Sequence, residues 1–156
     1  MISINVVSES NFWKKKIKKK DFFFNTLICF FPKRYRFVKK KVSLTILLSN
    51  NKNIKLLNRK FRNKNKPTDV LSFPFEKKLN LKKSLYLGDI IISYEFMNKP
   101  KDLSNLDFKN KVIKTFIHGF LHLLSYDHIR LKDFKKMVKE EEKIYEVIKK
   151  KIVKLV

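Results

Sequence analysis

Three histidines, His118, His122 and His128, are the residues of this chain whose type and spacing most directly suggest chemistry. They are the only histidines in 156 residues, and all lie within the stretch HGFLHLLSYDH. The run from Leu106 to Leu124 has helical periodicity, with Phe108, Val112, Ile113, Phe116, Ile117, Phe120, Leu121 and Leu124 on one broad apolar face. On that helix His118 and His122 fall one turn apart on the complementary stripe, near Lys111 and Thr115, so both imidazoles can point at one spot. Ser125, Tyr126 and Asp127 follow where the helix should stop, and the chain can turn back there to bring His128 to the same spot. Three imidazoles around a point with a fourth position open describe a catalytic zinc site, because structural sites usually close the tetrahedron with four protein ligands. A water in the open position would ionise near neutral pH, its pKa lowered to about 7. A single histidine beside an apolar face is ordinarily a core or surface residue, but three at this spacing are poorly explained that way. The spacing is also that of the long zinc-protease motif, which carries Glu after its first histidine as general base. Here that position is Gly119, and without the Glu peptide hydrolysis loses its usual base.

The elements that must position these residues can be read in order. Ile2 to Val7 alternates apolar and polar residues and predicts a first strand. Ser8 or Ser10 is placed to cap a helix from Asn11 to Phe30, with Trp13, Ile17, Phe22, Phe24, Leu27 and Phe30 as core candidates. Val42 to Leu48 predicts a second strand. Asn50 or Asn51 can cap a helix running to Phe61, with Ile54, Leu57 and Phe61 on one face. A basic loop, Asn63 to Lys66, then leads into a short strand at Asp69 to Phe73 that Pro74 ends. A polar connection, Lys77 to Lys83, precedes a strand from Ser84 to Ile92, where Gly88 suggests close approach of another backbone. Asp89 would bond nearby backbone or orient a site residue. A short helical piece at Tyr94 to Asn98 leads to the histidine helix, and Leu131 to Val153 predicts a closing helix with Phe134, Met137, Ile144, Ile148 and Ile152 facing inward. Its acids, Glu140 to Glu142 and Glu146, are expected to pair with surface lysines, each pair worth little. The pattern predicts one α+β domain over residues 1–156: a mixed sheet of about four strands packed with helices around a central metal-binding helix, in the manner of the zincins.

Three ordered segments carry a family resemblance. HGFLHLLSYDH resembles the YbeY signature H-G-x-L-H-L-x-G-Y-D-H, with Ser125 where the family has Gly. LNRKFRNKNKPTDVLSFPF, residues 57–75, resembles a second motif of that family, with Phe61 for Tyr and Asn65 for Asp. LGDIIIS, with Gly88 and Asp89, resembles a third. The resemblance implies a zinc-dependent, single-strand-specific endoribonuclease, one Zn²⁺ per chain, acting in 3′-end maturation of small-subunit (16S) ribosomal RNA and in ribosome quality control. It implies single-stranded RNA, small-subunit rRNA and the ribosome as partners, and ribosome-assembly proteins beside them. Arg62 falls on the family's functionally important arginine. Arginine suits a phosphodiester because its planar guanidinium can hold two phosphate oxygens without losing its charge. Taken without the resemblance, Arg62 reads as a helix-end cation facing the macrodipole.

Composition adds less. The formal net charge is +24, from 33 lysines, five arginines and 14 acids. Such a balance fits a nucleic-acid-binding face. It fits equally a composition bias that fills permissive surface positions with Lys, so the two readings stand side by side. Against that bias Gly is scarce, with two residues where average usage predicts about eleven. Cys29 is the only cysteine, which excludes an intrachain disulfide and a cysteine zinc site and fits a cytoplasmic protein. No targeting segment is expected. Phe22 to Phe31, the longest apolar stretch, is interrupted by Asn25, too short to span a bilayer, and better suited to a core helix than to a membrane surface.

The candidate site is therefore His118, His122 and His128 as metal ligands, with Arg62 and Asp127 as catalytic candidates. Asp127, beside a ligand, would orient an imidazole or handle a proton. Lys64, Lys66, Lys111 and Lys114 would track the RNA backbone, and Phe61 or Phe73 would stack a base. No membrane partner and no small-molecule cofactor is expected. Two other classes share these residues: a metallopeptidase, disfavoured by Gly119, and a non-catalytic ribosome-assembly factor whose zinc holds the fold.

Overall fold

The alternating pattern of the first segment becomes a strand, β1 (Ile2–Ser8), whose Ile2, Ile4 and Val6 are buried while Ser3, Asn5 and Val7 face outward. This computed structural model describes residues 1–80 and 85–152. β2 (Val42–Ser49) lies parallel to β1, β4 (Tyr86–Ser93) lies parallel to β2, and β3 (Val70–Pro74) closes the sheet antiparallel to β4, giving the order β1-β2-β4-β3. The parallel pairs require crossovers. The first runs through α1 (Asn11–Lys16) and α2 (Lys20–Cys29), and the second through α3 (Asn51–Arg62).

The predicted helix from Asn11 to Phe30 is in fact these two helices. Ile17 leaves helical geometry with φ −130° and ψ 90°. An unbroken helix would set Lys20 or Asp21 on the stripe defined by Trp13, Ile17, Phe24 and Leu27. The break instead lets the Lys20 ammonium reach the Val6 carbonyl and leaves Asp21 largely in solvent. It also turns Phe22 outward, 62% exposed against the core expectation, while Phe23 takes its place inside.

The histidine helix is α5 (Asn105–Leu123), preceded by the single turn α4 (Tyr94–Met97) and followed by α6 (Leu131–Lys149). Beyond α6, Ile152 is buried, and Val153, the predicted helix end, lies outside the described residues, as do the expected strand start Ser84 and part of the 77–83 connection. Phe134 is exposed rather than inward, whereas Met137, Ile144 and Ile148 are buried as expected.

The chain forms a single domain with a mixed sheet between unequal layers. One face carries the main core, where Phe24, Phe31, Phe116 and Phe120 meet ring to ring beneath the strands. On the other face, among the described residues, α3 lies over Leu71 and Ile91, with Ile54 fully buried between them. Phe61, expected on the inner face of α3, is 57% exposed and meets Phe73 edge to face at 5.1 Å. Asp89 also lies on this second face, away from the histidine cleft, and accepts the Tyr86 hydroxyl at 2.6 Å. Among the described residues, no helix is long and apolar enough to cross a membrane.

Close approach fixes α5 against the sheet. Gly119 offers its carbonyl to the Ser72 hydroxyl at 3.1 Å, and a Cβ there would sit 2.9 Å from Ile90 Cγ2 and 3.0 Å from Ser72 Oγ. The glycine is thus the residue that lets helix and strands touch. A longer side chain at this position would have to push the sheet away.

Candidate metal centre

Ser104 caps α5 by accepting the Asp107 N–H, and the helix then runs unbroken to its last residues, where both helical histidines sit. The C-terminus closes as a Schellman turn. The Tyr126 N–H donates to the Leu121 carbonyl at 3.0 Å, the Ser125 N–H donates to the His122 carbonyl at 3.0 Å, and Ser125 adopts φ 67°. This turn brings the chain back toward the helix, and the Tyr126 carbonyl accepts a hydrogen bond from His122 Nδ1 at 2.9 Å. Asp127 accepts the His128 backbone N–H at 2.6 Å and so holds the turn. A carboxylate adjacent in sequence to a ligand reaches its neighbour's N–H more easily than its ring.

His118, His122 and His128 converge, with one ligating nitrogen from each lying within 4.8 Å of the others. Glu141, from α6, accepts from His118 Nδ1 at 2.7 Å. The Glu141 carboxylate and the Tyr126 carbonyl both act as acceptors, so in the neutral imidazoles each Nδ1 carries the proton and each Nε2 presents a lone pair. Those two Nε2 atoms face each other at 3.1 Å. Lone pairs at that distance repel unless an electrophile lies between them. Tetrahedral zinc, at 2.0–2.1 Å from each nitrogen, separates its ligand nitrogens by about 3.3 Å. The donor set and its spacing therefore fit such an ion. Burial first, then the neighbouring His118, push His122 below the usual histidine range; the Tyr126 carbonyl opposes this, His128 adds to it and Asp127 opposes it. The net effect favours the neutral, ligating imidazole.

The histidines open onto a cleft of about 700 Å³ that also receives Arg62, Lys64, Asp69 and Lys77. Arg62 is the last residue of α3, followed by Asn63 in the left-handed region at φ 54°. The loop after it is pinned because buried Asn58 donates its side-chain N–H to the Lys66 carbonyl at 2.8 Å. No ion pair engages Arg62 among the described residues.

Of the sequence-predicted residues, Lys66 does not line the cleft, and Lys111 and Lys114 are directed elsewhere. Lys111 donates to the Lys99 carbonyl at 2.9 Å, and Lys114 lies over the Tyr145 ring at 4.6 Å. Phe61 and Phe73 also lie outside the cleft, in an apolar groove with Leu57 and Ile91. Sequence reasoning missed Asp69, Lys77 and Glu141. Of the acids Glu140 to Glu142 and Glu146, expected to pair with surface lysines, Glu146 meets Lys149 at 3.9 Å and Glu140 meets Lys143 at 3.1 Å, but Glu140 is also buried between Arg34 and Tyr35, and Glu141 meets a histidine.

A family model described as Endoribonuclease YbeY matches residues 7–149. The chain belongs to the YbeY family. A family member from Pelagibacter ubique, named endoribonuclease YbeY, is 71% identical over 152 residues, which cover 97% of this chain and 99% of that one. One of the same name from Ehrlichia canis is 40% identical over 129 residues, covering 82% and 80%. The solution structure of TM1509 from Thermotoga maritima aligns with a TM-score of 0.53 at 25% identity, over 96% of this chain and 91% of that one.

Ser125 is the strained point of the site, since an L-residue in the left-handed region costs roughly 1–2 kcal/mol. Its hydroxyl recovers little, accepting the Leu79 N–H at 3.3 Å. Ser125→Gly is expected to stabilise the fold by about 0.5–1 kcal/mol after the entropic penalty of glycine. Thermal denaturation reads this directly, and an unchanged or lower Tm would mean that the Leu79 contact outweighs the strain.

Proposed function

We propose that this protein is a metal-dependent endoribonuclease that uses zinc to cut single-stranded RNA in the cytoplasm, acting in 3′-end maturation of small-subunit (16S) ribosomal RNA and in ribosome quality control. One observation carries the reading: two imidazole Nε2 atoms face each other at 3.1 Å, with His128 beside them, in a cleft that also receives Arg62. Membership of a family whose relatives bear the name endoribonuclease supports it. When bound, zinc would supply Lewis-acid polarisation of a phosphate oxygen or a lowered pKa for water.

The chain's own residues would do the rest. The Glu141 and Tyr126 contacts hold the two helical imidazoles in the tautomer that points Nε2 into the cleft. The Arg62 guanidinium would grip two oxygens of the scissile phosphate and offset the charge that grows there during cleavage. Lys64 and Lys77 would follow the flanking backbone. Asp127 would act by fixing the turn that presents His128.

The test is metal content by elemental analysis, followed by cleavage of single-stranded RNA before and after chelation, with Arg62→Ala in parallel. About one zinc per chain and chelator-sensitive cleavage are expected. Arg62→Ala should keep metal and fold but lose cleavage by about 10²–10³-fold, the scale of losing one charge-stabilising donor. One zinc without cleavage would favour the assembly-factor reading, and cleavage of casein without RNA the peptidase reading. Absence of metal would remove the basis of the proposal.

A further inference from the structure

We propose that Glu141 is a positioning residue of the metal centre, and that α6 serves as the brace of the site as well as the closing element of the fold. This rests on the histidines being metal ligands. The Glu141 carboxylate receives the His118 Nδ1–H at 2.7 Å. It approaches from behind the ring, in a recess shared with Lys114, Ile117 and Tyr145, and it does not line the histidine cleft. Glu141 therefore acts on the metal site through His118. Such a contact fixes the tautomer and plane of the ring, and its negative charge makes Nε2 a better donor.

A carboxylate on a long side chain positions a ring well only if its own backbone is held. The preceding residue does this. Glu140 is 7% exposed, bonded to the Arg34 guanidinium, to the Tyr35 hydroxyl at 2.7 Å and to Lys143 at 3.1 Å. Lys143 lies on α6 itself, but Arg34 and Tyr35 come from outside it, and their bonds to this buried acid set the rotation and height of α6 against the core, and thereby the point that Glu141 can reach. Glu142, one residue further on, is exposed.

Zn²⁺ affinity of the full-length protein, measured by competition with a chromogenic chelator, tests the assignment in wild type, Glu141→Ala, Glu141→Gln and Glu142→Ala. Loss of the outer contact to a ligating histidine costs 10- to 100-fold in affinity. Glu141→Ala should weaken zinc binding by about that factor. Glu141→Gln, which still offers an oxygen to Nδ1–H, should recover part of the loss, and Glu142→Ala should match wild type. The Tm of the metal-free proteins should be the same in all four. Wild-type affinity in Glu141→Ala would overturn the assignment, as would an equal loss in Glu142→Ala or a fall in metal-free Tm that tracks the lost affinity. Failure of the wild type itself to bind zinc would instead overturn the metal reading beneath it.

Discussion

Alanine at His118 is expected to leave a folded protein that retains no zinc and cuts RNA about a thousandfold more slowly or not at all. The scale follows from the several kcal/mol of charge stabilisation that a metal supplies in such a reaction. The fold should survive because the imidazole lies on the cleft side of α5, with a third of its side-chain surface in solvent, and alanine is a good helix former. The apolar face that anchors the helix, from Phe108 to Leu121, is untouched. Elemental analysis, circular dichroism and cleavage of single-stranded RNA give the three readouts. Undiminished cleavage by the zinc-free variant would sink the assignment of His118. Loss of fold together with metal would point to zinc as a structural element.

The second large effect is expected in the sheet beside the cleft, at Gly88. It lies in β4 opposite Pro74 with φ 132°, and a Cβ added there would sit 2.1 Å from the Phe73 carbonyl oxygen and 2.9 Å from the Phe75 nitrogen. Those are backbone atoms of the paired strand, so no rotamer change relieves the contact. Gly88→Ala combines a strained backbone, about 1–3 kcal/mol, with overpacking of about 1–3 kcal/mol. A total of roughly 2–6 kcal/mol would consume much of a small domain's stability. Denaturant unfolding should show a large fall in the midpoint, and a change below about 1 kcal/mol would mean that the β3–β4 pair tolerates separation there. Because β3 carries Ser72, which bonds the Gly119 carbonyl, a partial opening would also loosen the seat of the histidine helix.

The convergence of the three histidines was legible in the sequence because they are local. Helical periodicity and one turn fix all three within the stretch from His118 to His128, and the structure adds only the Schellman geometry that explains how His128 returns. Sheet content was legible for the same reason, from runs of alternating or β-branched residues. Glu141 was not. It sits in a run of acids whose members look alike in sequence, and only the docking of α6 on α5 separates the exposed Glu142 from the one that meets His118. A signal did exist: Met137, Ile144 and Ile148 define a buried stripe, and Glu140 with Glu141 fills the gap where that stripe should continue. A charged pair on a core stripe asks for distant partners, and Arg34 and His118 are those partners. The break between α1 and α2 carried a similar mark, Lys20 and Asp21 on an otherwise apolar line. The lysine abundance obscured which cations line the cleft, since Lys64 and Lys77 resemble every other lysine until the chain is folded.

The separation between local and distant parts of the site bears on the order in which the molecule is assembled. The chain between His118 and His128 is short, whereas the segment joining Arg62 to His118 is several times longer, and each doubling of a loop adds about 0.6 kcal/mol to the entropy of closing it. The ligand set can therefore gather on α5 and its turn before the sheet has closed. Arg62 arrives only once β3 has paired with β4, and Glu141 only once α6 has docked. On the metal reading proposed above, ion capture would be an early event in this topology and competence to cut a late one. A partly folded chain holding its ion would remain inert toward RNA until the last strand and helix are in place.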